Sequence, residues 1–437
     1  MTIRRRILII IVVLIAIIAG VIFYLTRGDT AQLSADAVSG TRPRITSPRV
    51  QQFPTIDVAD VVGWQGAAKP VAAAGLSVNA FAADLDHPRW LYQLPNGDVL
   101  VAETNSPKRP TGGISDFVMK TLMSKVGAGG PSANRITLLR DTDGDGVADF
   151  RSVFLTGLES PFGMALVGDR LFVGNHNALV AFPYKPGDTR ITAPAQKIVA
   201  LPGGGNHWAK NVVADPTGNL LYIGVGSSTN IADNGMDAEK NRANILEYNL
   251  QTHKIRIYAA GLRNPVGMAW EPKSQQLWTV VNERDMLGSD LAPDYLTLVE
   301  LGAFYGWPYS YWGGYEDPRV EARPELLQYT RRPDYALGPH TASLGLAFGS
   351  LGTFTDGAFI GQHGSWNRKP VSGYKVTFVP FGPRGFPQGK MQDVLTGFLD
   401  KDGKAQGRPV GVIVDKAGSL LVADDVGNRI WRVSLGR

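Results

Sequence analysis

The 437-residue sequence contains no cysteine. This absence excludes disulfides, thiol nucleophiles, iron–sulfur clusters, zinc–thiolate sites and covalently attached c-type haem, because each of them needs a cysteine sulfur. Charge is also scarce: charged residues make up 19% of the chain, and the net charge is only +5. Arg4, Arg5, Arg6 and Arg27, against Asp29, supply +3 of that charge within the first 29 residues. The rest of the chain is too weakly basic to predict nucleic acid as a partner.

Turn-forming residues, in contrast, are abundant, with 51 glycines and 28 prolines. Both types are unfavourable in helix interiors and common in turns, so a mainly helical protein is disfavoured. Hydrophobic residues make up 44% of the chain, which is enough for a sizeable core and argues against general disorder. The composition is therefore compatible with one large all-β unit.

The N-terminal segment places Arg4, Arg5 and Arg6 before nineteen uncharged residues at 7–25. This run is longer than the roughly 7–15 apolar residues of a signal peptide and close to the ~20 of a spanning helix. We predict a transmembrane helix that anchors the chain at residues 1–27, with a cytoplasmic N-terminus and the remainder on the periplasmic side of the inner membrane. A long, cleaved signal peptide is the alternative. Residues 28–74 show no periodicity and are predicted to be a tether.

From residue 75 onward one pattern recurs: a turn, an apolar strand, a second turn and a second apolar strand. Its copies begin at residues 88, 161, 212, 265, 342 and 409. Turns such as Asn96-Gly97 between the paired strands are typical of β-hairpins. Six similar β units predict a six-bladed β-propeller over residues 75–437, with the long insertions as loops on one face. Two separate β-sandwiches are the alternative fold.

Residues 141–149 carry carboxylates at loop positions 1, 3, 5 and 9, on Asp141, Asp143, Asp145 and Asp149. Hard oxygen ligands at this spacing can surround a calcium ion, and Gly146 at position 6 permits the sharp turn. Strand-like segments flank the loop, so the pattern predicts a calcium-bound hairpin rather than a helix–loop–helix hand. An acidic surface turn is the alternative. A second oxygen-rich stretch at residues 282–294 is a weaker metal signal.

The histidines and loop cations are the candidate site residues. His207 lies in a glycine-rich turn that enters a strand, where an imidazole could act as a general base, although a structural role is equally compatible. His87 and His253 are expected in surface turns. Arg263 and Arg368 lie at loop–strand junctions and would suit a polyanionic ligand, with ordinary surface cations as the alternative.

Four segments carry a resemblance to a known family: GLRNPVGMAW (261–270), NERDMLGSDLAPDYL (282–296), FYGWPYSYWGG (304–314) and GQHGSWNRKPVSGYKV (361–376). Over roughly residues 75–435 the chain resembles the soluble quinoprotein glucose/sorbosone dehydrogenase family, and most closely its L-sorbosone dehydrogenase-like branch. The resemblance implies a six-bladed propeller that binds pyrroloquinoline quinone (PQQ) and calcium on its top face.

The resemblance also implies roles for individual residues. His207 would be the base that removes the substrate hydroxyl proton, and Arg263 and Asn264 would contact the quinone oxygens. The loop that holds Trp366, Arg368 and Lys369 would bind the cofactor, with its cations on the cofactor carboxylates.

The calcium ligands are implied in the same way. Glu283 and Arg284 fall near the backbone carbonyls that would hold the cofactor's calcium. Asp294 and Tyr305 match an aspartate and a tyrosine of nearby calcium sites.

These implications predict a PQQ- and calcium-dependent dehydrogenase that oxidises an aldose or a sorbosone-like sugar aldehyde. Glucose itself is not predicted, because the glutamine that the family's glucose enzymes carry beside the cofactor has no clear match near residues 159–160. Since the chain lacks a haem-attachment motif, electrons are expected to pass to a separate acceptor, a membrane quinone or a soluble cytochrome. A calcium-dependent propeller lactonase or other hydrolase, and a propeller that serves only as a binding scaffold, are the alternatives.

Overall fold

A computed structural model describes residues 3–108, 121 and 124–436 of the chain. The first element is helix α1 (Ile3–Thr26), which includes the charged Arg4, Arg5 and Arg6. None of the helices in these described ranges combines the length and the apolar character needed to cross a membrane. The predicted transmembrane helix is therefore not supported.

Residues 28–74 do not form the free tether that their composition predicts. Strand β1 (Ser39–Gly40) pairs with Ala336 and Leu337, and strand β2 (Val71–Ala72) pairs with Leu395 and Thr396. The same segment buries Val38, Ala59 and Trp64. Because burial of these side chains removes apolar surface from water, the segment lies against the propeller instead of extending into solvent.

Six antiparallel sheets form the blades of a propeller. From the innermost strand outward, the first blade consists of β4 (Pro88–Gln93), β5 (Val99–Glu103), β6 (Arg135–Arg140) and β7 (Phe150–Leu155). The second blade consists of β8 (Met164–Val167), β9 (Arg170–Asn175), β10 (Ala178–Pro183) and β11 (Gln196–Ala200). The third blade consists of β12 (Val212–Ala214), β13 (Leu220–Val225), β14 (Asn244–Asn249) and β15 (Ile255–Ala260).

In the same order, the fourth blade consists of β16 (Pro265–Trp270), β17 (Leu277–Val281), β18 (Pro293–Leu298) and β21 (Tyr335–Pro339), and β1 is added at its outer edge. The fifth blade consists of β22 (Ser343–Leu351), β23 (Phe354–Gln362), β24 (Lys375–Pro380) and β25 (Gln392–Thr396), and β2 is added at its outer edge. The sixth blade consists of β26 (Pro409–Val414), β27 (Leu420–Asp424), β28 (Arg429–Leu435) and β3 (Leu76–Ala82). The remaining elements are β19 (Ser310–Tyr311), β20 (Tyr315–Glu316), α2 (Pro324–Leu327) and a 3-10 helix at Met236–Glu239.

The inner strands begin at residues 88, 164, 212, 265, 343 and 409, close to the starts of the six sequence repeats. The predicted six-bladed β-propeller is therefore confirmed. The last blade takes its outermost strand, β3, from the N-terminal side of the domain, and Trp431 of β28 pairs with Ala80 of β3. This pairing joins the two ends of the domain, so the last blade closes the ring.

One apolar cluster fills the centre of the ring. Its members include one side chain from or just before the inner strand of each blade: Trp90, Phe162, Trp208, Val266, Leu344 and Val410. The ring centroids of Trp90 and Phe162 are 4.8 Å apart, and those of Phe162 and Trp208 are 5.8 Å apart. The inner strands of all six blades therefore contribute to one shared hydrophobic cluster.

Candidate active site

The top face of the propeller is the end at which the inner strands begin and the second strands of the blades end. Five of the six histidines lie at this face: His87, His176, His207, His340 and His363. Only His253 lies at the opposite face, on the turn between β14 and β15. The topology therefore gathers titratable side chains from all over the sequence onto one surface.

His207 precedes β12, and one of its ring nitrogens is held by Ser227. The Nδ1 atom lies 2.9 Å from the Ser227 carbonyl oxygen and 3.0 Å from the Ser227 hydroxyl. Because a carbonyl oxygen can only accept a hydrogen bond, Nδ1 carries a proton in this contact. In the neutral ring, the lone pair that can accept a substrate proton is therefore on Nε2. The ring is partly exposed, as a base that meets a substrate must be.

Arg263 and Asn264 precede β16 and lie next to the His207 loop. A Cβ atom on Gly226 would lie 2.4 Å from Asn264 Oδ1 and 2.5 Å from His207 Cβ. Only a glycine at this position leaves room for the two side chains, which shows how closely they approach each other. The Arg263 carbonyl also accepts a hydrogen bond from the Ser227 amide at 2.7 Å. The structure thus brings together the predicted base and the two predicted quinone contacts.

The Arg263 guanidinium is buried and held by two loops of the top face. Its Nη2 donates to Asn230 Oδ1 at 2.9 Å and lies 3.3 Å from the Asp285 carboxylate. Its Nη1 donates to Asn282 Oδ1 at 3.2 Å. These contacts fix the orientation of the arginine before any ligand binds.

His340 lies on the other side of Asp285. Its Nδ1 is 3.4 Å from the Asp285 carboxylate, and its Nε2 donates to the Gly288 carbonyl at 3.0 Å. Burial lowers the pKa of His340, but Asp285 and the Gly288 carbonyl outweigh burial and raise it. Burial raises the pKa of Asp285, and Arg263 with His340 more than reverses this and holds it well below its usual range. Arg263 and His340 thus share one carboxylate.

The predicted cofactor loop at residues 366–369 contributes one buried cation. Arg368 Nε donates to the Ser289 carbonyl at 2.9 Å, and its Nη1 donates to the Pro370 carbonyl at 2.7 Å. Burial lowers the pKa of Arg368, partly offset by Asp290. Trp366 is partly exposed and Lys369 is exposed. The structure brings Arg368 to the loop that carries Asp285, whereas the roles of Trp366 and Lys369 stay predictions.

A second buried ionic cluster at the top face was not anticipated from the sequence. Asp425 accepts hydrogen bonds from Arg89 Nη1 at 2.6 Å and from His363 Nε2 at 2.8 Å, and His87 Nε2 lies 3.5 Å away. Burial lowers the pKa of His363 to about 3, aided by Arg408. Burial raises the pKa of Asp425, but the facing His363, His87 and Arg89 hold it well below its usual range. His87, expected in a surface turn, is therefore part of this cluster.

Two buried nitrogen atoms of this Asp425 cluster lack a hydrogen bond to the described part of the chain. The neighbouring Arg408 already makes its hydrogen bonds within the protein, because its guanidinium donates to the carbonyls of His363, Gly364 and Val126. Within the described ranges, however, the buried atoms Arg89 Nε and His87 Nε2 make no hydrogen bond. The residues of this cluster come from the first, fifth and sixth blades, so no spacing along the sequence could have predicted it. Only His363 lies in a segment, GQHGSW, that the sequence had singled out.

The side chains of Glu283 and Arg284 do not face the candidate site. Glu283 accepts hydrogen bonds from the Arg284 amide and Nε at 3.1 and 2.8 Å. Arg284 is fully buried and donates to the Pro308 and Ser310 carbonyls at 2.7 Å each. Both side chains are therefore structural, and only their backbone carbonyls remain as predicted calcium ligands.

Asp294 and Tyr305 do not form a common metal site. Asp294 is buried and accepts hydrogen bonds from the Glu283 and Ser343 amides and the Thr341 hydroxyl. Tyr305 donates to the Leu298 carbonyl, at the far end of the strand that begins near Asp294. Four residues of extended strand span about 13 Å, which is too far for shared coordination. The two side chains therefore cannot bind the same ion, and the role of each one at a calcium site stays a prediction.

The acidic loop at 141–149 lies on the opposite face, because it follows the third strand of its blade. Carboxylate oxygens of Asp141, Asp143 and Asp145 lie within 4.8 Å of one another and could hold a metal ion. Asp149 instead accepts a hydrogen bond from the Thr142 amide at 2.8 Å. The structure brings together three of the four predicted ligands, at a distance from the His207 face that separates any metal there from the chemistry of the site.

Lys210, three residues after His207, is fully buried. Its Nζ donates to the Trp208 carbonyl at 3.0 Å. Burial, with a smaller contribution from Arg242, lowers the pKa of Lys210 to about 7. Lys210 is therefore a buried side chain whose pKa lies near neutral pH, three residues after the candidate base.

Three relatives share part of the chain. It is 32% identical over 232 residues to an uncharacterized protein of Borreliella burgdorferi, 29% identical over 161 residues to the aldose sugar dehydrogenase YliI of Escherichia coli, and 26% identical over 273 residues to the pyrroloquinoline quinone-dependent pyranose dehydrogenase of Coprinopsis cinerea. The matches cover 52%, 33% and 49% of this chain and only 60%, 41% and 37% of the respective relatives.

Solved structures agree with the propeller fold. The holo PQQ domain of the Coprinopsis cinerea pyranose dehydrogenase superposes with a TM-score of 0.67 at 20% identity, over 85% of this chain and 98% of that domain. The calcium structure of the Trichoderma reesei family AA12 enzyme gives 0.67 at 19% identity, over 84% and 97% of the two chains.

A family model decides the classification. The TrAA12-like model matches residues 70–293 and 326–435, which is well over half of the chain. These ranges include His207, Arg263, Asn264 and Arg368, the residues that the top face gathers. The chain therefore belongs to the TrAA12-like family, and its resemblance to the soluble quinoprotein sugar dehydrogenases is confirmed.

Proposed function

We propose that this protein is a PQQ-dependent dehydrogenase that oxidises an aldose or a sorbosone-like sugar aldehyde. The observation that carries the proposal is the meeting of His207, Arg263 and Asn264 at the top face. Two relatives support it by their names, one as a PQQ-dependent pyranose dehydrogenase and the other as an aldose sugar dehydrogenase.

The donors at the top face fit a planar quinone with several carboxylates. Arg263 and Asn264 would face the quinone oxygens, and Arg368 would face a carboxylate. Arginine is well matched to carboxylates because its planar group can donate two parallel hydrogen bonds. When bound, PQQ would accept a hydride equivalent from the substrate.

The residues of the chain itself would move the proton and hold the charge. His207 Nε2 would take the proton of the substrate hydroxyl, while Ser227 keeps Nδ1 protonated and the ring oriented. The Arg263 guanidinium would stabilise negative charge that develops next to it. Because Asp285, Asn230 and Asn282 already hold Arg263, little reorganisation would be needed.

Calcium belongs to the proposal at two places. The backbone carbonyls of Glu283 and Arg284 would hold an ion beside the cofactor, as the family resemblance implies. Asp141, Asp143 and Asp145 would hold a second ion on the opposite face. The calcium structure of the Trichoderma reesei relative supports a role for this ion in similar propellers.

We further propose that the enzyme works outside the cytoplasm and passes electrons to a separate acceptor. The support for export is the run of uncharged residues after Arg4, Arg5 and Arg6. The support for a separate acceptor is the absence of cysteine, which excludes attached c-type haem and iron–sulfur clusters from the chain itself. A soluble cytochrome or a membrane quinone would serve. Fractionation of cells that express the full chain tests the location, and an intact cytoplasmic pool would contradict export.

The test of the proposed activity is a titration of the full chain with PQQ in the presence of calcium, followed by absorbance. We expect stoichiometric binding, and then bleaching of the quinone absorbance when an aldose or sugar aldehyde is added. A His207→Ala protein should bind PQQ but bleach far more slowly. Failure of the wild-type chain to bind PQQ at saturating calcium would contradict the proposal, and lactone hydrolysis would then be measured.

A further inference from the structure

Residues 28–57, which we call the strap, lie across two loops of the candidate site. The Ala31 amide donates to the Lys369 carbonyl at 2.8 Å, and the Asp57 amide donates to the Trp366 carbonyl at 3.1 Å. The Arg49 amide donates to the Leu287 carbonyl at 2.9 Å. The strap therefore contacts both the 366–369 loop and the 286–290 loop through backbone hydrogen bonds.

Asp29 is the strongest link between the strap and the 286–290 loop. Its carboxylate accepts a hydrogen bond from the Ser289 amide at 2.6 Å, and its carbonyl accepts one from the Ser289 hydroxyl at 2.9 Å. Arg49 Nη1 pairs with the same carboxylate at 2.7 Å, and the Asp29 amide donates to Thr55 Oγ1 at 2.8 Å. Asp29 is thus fixed from both sides and holds Ser289 in one position.

The carbonyls of this loop orient two side chains of the site. The Ser289 carbonyl accepts the hydrogen bond from Arg368 Nε at 2.9 Å. The adjacent Gly288 carbonyl accepts the hydrogen bond from His340 Nε2 at 3.0 Å. A displacement of residues 288 and 289 would therefore move the acceptors of both Arg368 and His340.

The next residue is held in the same way. Asp290 is buried, and its carboxylate accepts hydrogen bonds from the Gln32 and Leu33 amides at 2.8 and 3.4 Å. Strap and loop therefore exchange hydrogen bonds over several consecutive residues. The match to the family model begins at residue 70, so the strap lies outside the shared part of the chain.

We propose that the strap is part of the cofactor site of this protein: Asp29 positions the 286–290 loop, and through it Arg368 and His340. Asp29 is a positioning residue, because it acts through Ser289 rather than on a ligand. The inference rests on the proposed function in that the ligand is taken to be PQQ.

The experiment compares the full chain with Asp29→Ala, Asp29→Asn and Asp36→Ala. Asp36 is the matched control, because it belongs to the same strap but pairs with the exposed Lys390. PQQ affinity is measured by titration well below the unfolding temperature of every variant. We expect Asp29→Ala to weaken PQQ binding about 10–100-fold, the range typical of residues that orient direct ligands. Asp29→Asn keeps an acceptor for the Ser289 amide and should lose much less, and Asp36→Ala should bind as wild type.

Hydrogen exchange on the PQQ-free proteins gives a second readout. Asp29→Ala should accelerate exchange at the amides of residues 287–290, and Asp36→Ala should not. Unchanged PQQ affinity in Asp29→Ala, or an equal loss in Asp36→Ala, would overturn the inference. If the wild-type chain fails to bind PQQ, the proposed function falls separately, and unchanged exchange at 287–290 in Asp29→Ala would then overturn the role of the strap.

Discussion

His207 Nδ1 lies 2.9 Å from the carbonyl oxygen of Ser227, and this contact decides which nitrogen of the ring can act as a base. A His207→Ala variant removes the proton acceptor without removing a predicted cofactor contact. We expect its kcat to fall by roughly 10²–10⁴-fold, the range for loss of a general base, with PQQ affinity close to wild type. His253→Ala, on the opposite face, is the control. Wild-type turnover in His207→Ala would show that another group takes the proton.

Asp425 is the acceptor shared by Arg89 and His363, and it is 1% exposed. Asp425→Asn keeps the shape but leaves a buried arginine without its counterion. We expect the free energy of unfolding to fall by about 3–5 kcal/mol, as measured by urea denaturation. Asp393→Asn, which breaks the exposed pair with Lys375, should change stability little. A small change in the free energy of unfolding of Asp425→Asn would mean that water or a rearranged side chain stabilises the buried charge of Arg89.

Burial lowers the pKa of Lys210 to about 7, against an unfolded value near 10.5. Between these two pH values the unfolded chain binds one more proton than the folded chain, so this group makes stability rise with pH. The slope is at most about 1.4 kcal/mol per pH unit. In Lys210→Met we expect this contribution to the increase of the free energy of unfolding with pH to be absent. We also expect the variant to be more stable than wild type at neutral pH.

Urea denaturation of both proteins from pH 7 to pH 10 measures this slope. Lys401→Met replaces an exposed lysine and should follow the wild-type curve. Parallel curves for Lys210→Met and wild type would mean that Lys210 stays charged in the folded protein and has an anion that balances it.

The carboxylates of Asp141, Asp143 and Asp145 lie close enough to repel one another, and Arg432 pairs with Asp141 at 3.5 Å, at one side of the group. Calcium should therefore raise the unfolding temperature of the wild-type protein, and removal of calcium with a chelator should lower it again. An Asp143→Asn/Asp145→Asn variant should lose most of this response, because only the proposed site at the Glu283 and Arg284 carbonyls would remain. It should be at least as stable as wild type in the chelator, because like charges have been removed.

The same double variant also tests the separation of the two faces. Since the acidic loop lies at the face opposite His207, we expect PQQ to bind this variant as it binds wild type. Asp402→Asn, in another exposed turn, is the control. An undiminished calcium response in the double variant would place the stabilising ion elsewhere.

The order of strands within a blade was readable from the sequence because it is a local property. Alternating apolar segments and turns such as Asn96-Gly97 set each hairpin, and six copies set the number of blades. The clustering of Asp141, Asp143 and Asp145 is local for the same reason, since all three lie in one loop. His207 with Arg263 and Asn264 was available only through the family resemblance, because no spacing relates them.

The errors and omissions arise where contacts join distant parts of the chain. Asp425 lies in the sixth blade, but its partners Arg89 and His363 lie in the first and fifth blades. The segment expected to be a tether is held by Ser289, which donates to Asp29, and by Asp290, which accepts from the Gln32 amide; both lie more than 250 residues away from their partners. Neither relationship leaves a periodic signal.

By itself, the sequence determined an all-β chain with six repeated units, one acidic metal-type loop and a set of loop cations. Only the tertiary structure decided that β3 closes the ring, that Asp425 gathers Arg89, His87 and His363, and that Asp29 fastens the loop of Ser289. The physical reason is that hairpins follow from neighbouring residues, whereas a buried charge finds its partner only after the blades have packed side by side.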